Sequence, residues 1–160
     1  MRTKASPFAV AVVCVLLGTV FPGMAAESGP YFASLKSGEV YMREGPSANN
    51  KVKWVYRRKG LPVEVLASFE VWRRVRTMDG EIGWVHVALL SRDRTVAVAS
   101  GQDAAVRGRD GASAVVAEAK AGAIGRLMGC SKLACQVKFD TVTGWVDRGQ
   151  LWGIRDGEQF

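Results

Sequence analysis

The stretch that decides the fold is V-Y-M-R-E-G-P-S (Val40 to Ser47), followed by K-G-L-P-V-E-V-L (Lys59 to Leu66), W-R-R-V-R (Trp72 to Arg76) and D-G-E-I-G-W-V (Asp79 to Val85). Short runs of β-branched and aromatic residues, separated by Gly, Pro and Asp, are typical of strands joined by tight turns. Asp79-Gly80 tolerates the positive φ that a hairpin turn requires. No sustained 3.6-residue apolar period follows the N-terminal apolar run. The stretch therefore predicts a small all-β domain.

The same skeleton occurs a second time. Its parts are A-V-R-G-R-D-G (Ala105 to Gly111), A-G-A-I-G-R-L-M (Ala121 to Met128), C-Q-V-K-F (Cys135 to Phe139) and T-G-W-V (Thr143 to Val146). Gly60 and Gly122 correspond, as do Trp84 and Trp145. A repeat of about 60 residues predicts two small domains in tandem. We place them at 31–95 and 96–154, with 155–160 as a tail.

Residues 1–25 are predicted to be a removable signal peptide. A basic start and an apolar run from Phe8 to Phe21 precede Gly23-Met24-Ala25, which puts small residues at −3 and −1 of a cut before Ala26. The run is shorter than the ~20 residues of a spanning helix, although an uncleaved anchor is an alternative. We therefore expect an exported protein, periplasmic or extracellular, with no stable membrane span once the signal is removed.

Positive charge is concentrated in the first repeat. Residues 31–95 contain 12 Lys and Arg against 7 Asp and Glu, whereas residues 96–160 contain 8 against 7. A basic face could meet anionic lipid, an acidic cell-wall polymer or an acidic protein, or it could simply aid solubility. An exported protein is not expected to bind nucleic acid.

The first repeat resembles the bacterial Src-homology-3 (SH3-like, SH3b) domain family. The residues that carry the resemblance are Val40-x-Met42-Arg43-x-Gly45-Pro46-Ser47, Gly60-x-Pro62-Val63, Trp72-x-x-Val75 and Gly83-Trp84-Val85. The second repeat is divergent, since it has Ala134 in place of Trp72 and lacks the Gly-Pro-Ser loop. The resemblance implies an all-β fold of two tandem small SH3-like barrels. It also implies a non-catalytic role at the cell envelope, often in contact with peptidoglycan or other proteins.

The cores of such small barrels are thin. We expect Trp84 and Trp145 to supply much of the packing, because a buried aromatic removes ~150–250 Å² from water.

The sequence offers little for catalysis. His86 is the single histidine, and a nucleophile would need it to be positioned beside a partner. No metallopeptidase, phosphate-loop or Gly-x-Ser-x-Gly motif occurs. A zinc site needs about four Cys or His ligands, which the exported chain does not have. We expect no enzymatic activity, no cofactor and no metal.

Cys130 and Cys135 are predicted to form a disulfide. An even cysteine count in an exported chain favours pairing. The four residues between them fit a hairpin loop, which places the two cysteines across from each other on neighbouring strands. The alternative is a redox-active pair, but the spacing is not Cys-x-x-Cys.

One group of side chains, the aromatic–basic set, is the candidate ligand site. It consists of Tyr41, Arg43, Trp54, Tyr56, Arg57, Arg58, Trp72, Arg73 and Arg74. Aromatic faces beside cations suit sugars, peptides or anionic polymers. The other interpretation is that the aromatics fill the core while the arginines are solvated. Strand alternation puts Trp54 and Tyr56 on one face but does not say which face is inside.

Three functions remain open at this point. The leading hypothesis is a non-enzymatic module that binds peptidoglycan or an envelope protein, chiefly through the first repeat. The second is a targeting subunit that acts in trans with a cell-wall hydrolase. The third is an envelope signalling accessory without wall contact. One barrel fold can serve all three, because function depends on the site.

Overall fold

The computed structural model describes residues 29–99 and 101–159. The predicted signal peptide at 1–25 lies outside the described residues. The strands of the first half are β1 (Tyr31–Leu35), β2 (Val40–Arg43), β3 (Val52–Tyr56), β4 (Pro62–Phe69), β5 (Trp72–Arg76), β6 (Ile82–His86) and β7 (Leu90–Ser91). Those of the second half are β8 (Thr95–Val98), β9 (Ala104–Arg107), β10 (Val115–Ala119), β11 (Ile124–Cys130), β12 (Ala134–Lys138), β13 (Thr143–Asp147) and β14 (Leu151–Trp152). Two short 3-10 turns, Val87–Leu89 and Arg148–Gln150, precede β7 and β14.

The strands form two seven-stranded antiparallel sheets with the same internal order. The first sheet runs β3-β2-β6-β5-β4-β1-β7, and the second runs β10-β9-β13-β12-β11-β8-β14. Each strand of the second sheet thus occupies the place of the strand seven earlier in the chain. We call β1–β7 the first barrel and β8–β14 the second barrel. The predicted fold class, all-β with two small SH3-like domains in tandem, is confirmed.

Each barrel has its own core, made mainly of aliphatic side chains. The first core contains Ala33, Leu35, Val40, Met42, Val63, Val65, Val75 and Val85. The second contains Val96, Val98, Ala104, Val106, Ala119, Leu127, Cys130, Cys135, Val137, Val146 and Leu151. Burial of apolar area supplies most of the driving force for folding in such a core.

The expectation that Trp84 and Trp145 fill these cores is wrong. Gly83 and Val85 on either side of Trp84 are buried, so alternation along β6 turns Trp84 outward. Trp145 is turned outward in the same way on β13. Both tryptophans are only partly buried, on the outer surface of their barrels.

The glycine before each tryptophan has a steric cause. A Cβ on Gly83 would lie 2.5 Å from Met42 Cγ and 2.9 Å from the Arg43 carbonyl oxygen. A Cβ on Gly144 would lie 2.5 Å from Val106 Cγ1. Strand β2 therefore lies too close to β6 for any residue other than glycine at position 83. Strand β9 lies equally close to β13 at position 144. This close approach explains why glycine precedes tryptophan in both copies of Gly-Trp-Val.

Strand β3 lies almost entirely outside the first core. All of its residues except Tyr56 are exposed, and Tyr56 is half-buried against the first core. The strand forms the edge of the sheet and pairs only with β2. Val52 to Val55 extend past the first core, so both faces of this part of the strand meet solvent.

The disulfide between Cys130 and Cys135 is confirmed. The two residues lie directly opposite each other on β11 and β12, with their Cα atoms 4.0 Å apart. Cys135 is fully buried and Cys130 nearly so, which makes the bond part of the second core.

The two barrels are in direct contact. Thr95 Oγ1 donates a hydrogen bond to the Gly60 carbonyl at 2.7 Å, and Arg58 Nη2 donates to the Gly122 carbonyl at 3.0 Å. The Phe32 and Trp152 rings pack edge to face, with centroids 5.1 Å apart. This edge-to-face geometry is a favoured arrangement of aromatic pairs.

Candidate functional site

Trp84 lies at the centre of the outward-facing surface of the first barrel. It is directly opposite Arg43 of β2 on one side and Arg74 of β5 on the other. Residues directly opposite in antiparallel strands share a face and lie about 5 Å apart at Cβ. The indole is therefore flanked by two guanidinium-bearing side chains. We call Tyr41, Arg43, Trp72, Arg74, Trp84 and His86 the outer face.

Trp72 and His86 form a second cross-strand pair on the outer face. They lie opposite each other on β5 and β6, and their rings meet edge to face at 5.4 Å. His86 Nδ1 accepts a hydrogen bond from the Ala88 N–H at 3.2 Å and so caps the 3-10 turn that follows. These contacts give the single histidine a structural role at the edge of the outer face.

Tyr41 is exposed at the start of the outer face, with 42% of its surface accessible. Its hydroxyl donates to Glu39 Oε1 at 2.7 Å, and Arg57 Nε donates to Glu39 Oε2 at 3.2 Å. The hydrogen bond to Glu39 raises the pKa of Tyr41, and the same bond lowers the pKa of Glu39. Glu39 thus orients a neutral phenol and a cation side by side.

Arg43 is half-buried and also shapes the adjacent loop. Its Nη1 donates to the Asn50 carbonyl at 2.7 Å. The loop is closed by the Glu44 N–H, which donates to the Lys51 carbonyl at 3.0 Å. Arg43 therefore ties the Gly-Pro-Ser loop to β2 at the position opposite Trp84.

The edge strand adds an apolar margin to this surface. Trp54 is 48% exposed, and Val52 and Val55 are exposed as well. Lys53 Nζ lies 2.8 Å from Glu81 Oε2 and donates to the Ile82 carbonyl at 3.0 Å, which fixes β3 against the Asp-Gly hairpin. Hydrogen bonds from Lys53 and Trp54 lower the pKa of Glu81.

The interpretation that the aromatic residues of the set fill the core is wrong for Tyr41 and Trp54, which are exposed. Tyr56 alone packs against the core, and its burial raises the pKa of its hydroxyl.

Two arginines of the set lie away from the outer face. Arg58 donates to Gly122 of the second barrel. Arg73 lies opposite the buried Val85 on the inner side of β5, and its Nη1 donates to the carbonyls of Glu70 and Trp72 at 2.9 Å each. The sequence placed Arg73 and Arg74 together, but neighbouring strand residues point to opposite faces.

The aromatic–basic set missed two outer-face residues, His86 and Trp84. The pattern Gly-Trp-Val does contain a signal for Trp84. If Gly83 and Val85 are taken as the buried positions, the tryptophan between them must face outward.

The second barrel repeats the central pair with different chemistry. Trp145 lies opposite Arg107 on one side and Gln136 on the other. Arg107 Nη1 forms an ion pair with Asp147 Oδ2 at 3.1 Å. A cavity of about 330 Å³ adjoins Arg107 and Trp145. Because Gln136 takes the place of Arg74 and Asp147 neutralises Arg107, this surface lacks the positive charge of the first barrel.

Within residues 29–99 and 101–159, no group of three or more His, Cys, Asp or Glu side chains is arranged to hold a metal ion. In the same part of the chain, no helix has the length and apolar character needed to cross a membrane.

Residues 36–92 match the bacterial SH3 domain family. This confirms the resemblance for the first barrel, which we now call the bacterial SH3 domain. The match ends at residue 92, so the family of the second barrel stays a prediction that rests on the repeated sequence pattern. The two sheets share the same strand order.

Other comparisons add little. No curated protein sequence matches this chain significantly. Among solved structures, NlpC2 from Trichomonas vaginalis has 11% identity over 77% of this chain and 48% of its own, with a TM-score of 0.35. NlpC1 from Trichomonas vaginalis has 12% identity over 85% of this chain and 50% of its own, also with a TM-score of 0.35. This chain spans about half the length of each of these two proteins.

Proposed function

We propose that this protein is an exported, non-enzymatic binding module that contacts peptidoglycan or an envelope protein through the outer face of its bacterial SH3 domain. The observation that carries the proposal is the position of Trp84 between Arg43 and Arg74, with Tyr41 exposed beside them. The match of residues 36–92 to a bacterial SH3 domain supports a binding role.

The chemistry of the outer face favours a ligand with both flat and acidic parts. An aromatic face packs against sugar rings or peptide side chains. Guanidinium groups donate paired hydrogen bonds to carboxylates. A cell-wall polymer with sugar rings and carboxylate-bearing peptides offers both, and so does an acidic protein segment. Export follows from the predicted signal peptide and would place the protein beside such partners.

Sedimentation of the mature protein with purified peptidoglycan tests the proposal. The series should be run at low and moderate salt, because salt screens exposed charges. Capture by charge alone predicts binding that is lost at moderate salt and weakened by Arg74→Gln. A defined pocket predicts binding that survives salt and fails in Tyr41→Ala or Trp72→Ala.

The absence of pelleting under every condition would exclude peptidoglycan and leave an envelope protein as partner. Hydrolysis of the wall by the purified chain would overturn the non-enzymatic assignment. Export needs its own test, which is N-terminal sequencing of the protein from its native envelope. A start near Ala26 is expected, whereas an intact Met1 in the membrane fraction would indicate an uncleaved anchor.

A further inference from the structure

A cavity of about 620 Å³ lies where the two barrels meet, away from the outer face. Four arginines line it: Arg73 of β5, Arg92 and Arg94 of the segment between the barrels, and Arg155 after β14. Its walls also include apolar side chains, and no Asp or Glu lines it. Ligand sites in proteins typically have volumes of about 300–1,000 Å³.

Arg94 is the arginine held most firmly. Both of its terminal nitrogens hydrogen-bond to the Glu158 carboxylate, and Nη2 also donates to the Gly153 carbonyl at 2.9 Å. Its guanidinium carbon lies 5.9 Å from the centre of the Phe32 ring. Its Nε is buried and has no hydrogen-bond partner among the described residues. An atom that solvent does not reach is also closed to a ligand, so the donors available in the cavity are chiefly those of the other three arginines.

The other three arginines have no acidic partner in the described part of the chain. No carboxylate oxygen of residues 29–99 or 101–159 lies within 4.0 Å of the side-chain nitrogens of Arg73, Arg92 or Arg155. Glu158 is thus the one carboxylate of the described residues that forms an ion pair with any of the four arginines, so the shared space keeps an excess of positive charge. Like charges held near one another repel, and an anion in the cavity would relieve that repulsion.

The apolar wall of the cavity distinguishes it from a simple basic patch. Phe32 and Tyr31 of β1 contribute aromatic rings, and Val87 and Leu90 contribute aliphatic surface. An inorganic anion would use the guanidinium groups alone. An organic anion would use the guanidinium groups and the apolar wall together.

We infer that this junction cavity binds an organic anion: a phosphate or carboxylate group attached to an apolar, ring-sized body. Arginine suits this role because its planar fork of N–H donors matches both kinds of acid group. The cavity is built from both barrels, since Phe32 and Arg73 come from the first and Arg155 follows the last strand of the second. The ligand would thus also bridge the barrels. This inference is independent of the proposed function.

The test is a titration of the mature, isotope-labelled protein followed by its backbone amide NMR signals. Phenyl phosphate and benzoate are the two probes, and they differ in the acid group attached to the ring. Phenol supplies the ring without the acid group, and inorganic phosphate supplies the acid group without the ring. We expect saturable shifts at Phe32, Ser68 and Leu90 with phenyl phosphate or benzoate, and the stronger of the two identifies the acid. We expect weaker shifts with inorganic phosphate and none with phenol.

The variant Arg92→Gln/Arg155→Gln should weaken binding of the stronger probe by about tenfold or more, because it removes two charge-assisted donors. Arg109→Gln removes a charge from an exposed loop of the second barrel and is the matched control, with binding unchanged. Because Arg92 and Arg155 are exposed, the rest of the spectrum should stay as in the wild type, which shows that the double variant is folded.

The inference is overturned if no probe gives saturable shifts at the cavity, if the shifts cluster on the outer face, or if the double variant binds as well as the wild type. Peptidoglycan sedimentation separates this result from the proposed function. The double variant should bind the wall normally, and Trp84→Ala should bind the probe normally.

Discussion

Trp84 lies directly opposite Arg43, and Trp145 lies directly opposite Arg107 at the matching place in the second barrel. The backbone geometry of the pair is thus duplicated. Its electrostatics are not, because Asp147 pairs with Arg107 while Arg74 adds a second cation beside Trp84. This difference is the reason why we propose the binding surface on the first barrel.

The duplicated tryptophans provide a matched pair of variants. Trp84→Ala should lower peptidoglycan binding by about tenfold or more, as is typical for an aromatic at the centre of a contact surface. Trp145→Ala should leave binding unchanged. Sedimentation measures both, and circular dichroism checks that each variant is folded. Equal loss in the two variants would contradict the assignment to the first barrel.

Gly83 should not tolerate a side chain. The Cβ of Gly83→Ala would overlap Met42 and the Arg43 backbone, and such overpacking typically costs about 1–3 kcal/mol of unfolding free energy. Gly38→Ala is the control, since a Cβ there meets nothing within 4 Å. Urea unfolding measures both. If both variants are equally stable, the close crossing of β2 and β6 is not as described.

The disulfide should stabilise the protein modestly. The loop that Cys130 and Cys135 close is short, so loss of the bond should lower the unfolding free energy by about 2 kcal/mol on the chain-entropy model. Urea unfolding of the mature protein with and without reductant measures this. A thiol assay on the unfolded, unreduced mature protein should find no free sulfhydryl, and two free thiols per chain would refute the bond.

Trp152 should couple the two barrels. Its ring packs edge to face on Phe32, a type of contact worth about 0.5–1.5 kcal/mol beyond area burial. We expect the wild-type barrels to unfold together in urea and Trp152→Ala to separate their midpoints, as followed by amide signals from each barrel. Trp145→Ala, in the same barrel but away from this contact, should keep a single midpoint. A single midpoint in both variants would show that Trp152 does not provide the coupling.

Glu158 should make stability depend on pH at the acid end. Hydrogen bonds from Arg94 lower the pKa of Glu158, whose side chain is only 16% exposed. Because the folded pKa is below the unfolded one, this stabilisation is present above the unfolded value of about 4.5 and is lost as pH falls through the folded pKa. Glu158→Gln should therefore be less stable than the wild type at pH 7, with a difference that shrinks as the pH falls below 4.5. Glu44→Gln, in an exposed loop, is the control and should follow the wild type. If the difference in unfolding free energy between Glu158→Gln and the wild type stays constant across this pH range, the Arg94–Glu158 ion pair is not its source.

Local features were predicted best. The Cys130–Cys135 pairing was predicted because four intervening residues and strand geometry alone bring the two Cα atoms together. The repeat was predicted because Gly-Trp-Val recurs where β2 and β9 cross closely over glycine. In both cases the geometric constraint acts between residues on adjacent strands. It therefore requires a particular residue type, cysteine or glycine, that is visible in the sequence.

The direction in which aromatic residues face was predicted poorly. The sequence predicts Trp84 in the core and does not decide between core and surface for Trp54. The period-2 alternation of a strand separates two faces without saying which is inside. Which face of a strand is buried depends on how the strands close around the core. Strand β3 is an edge strand, and most of its residues do not pack against the core.

Residue types and their spacing are enough to predict the all-β repeat, the hairpin disulfide and the concentration of positive charge in the first half. Tertiary structure alone decided that Trp84 lies between Arg43 and Arg74, and that Arg73 and Arg155 line one cavity. The physical reason is sequence separation. Alternation and turn chemistry act over a few residues, whereas the placement of Arg73 and Arg155 around one cavity depends on how two complete barrels pack.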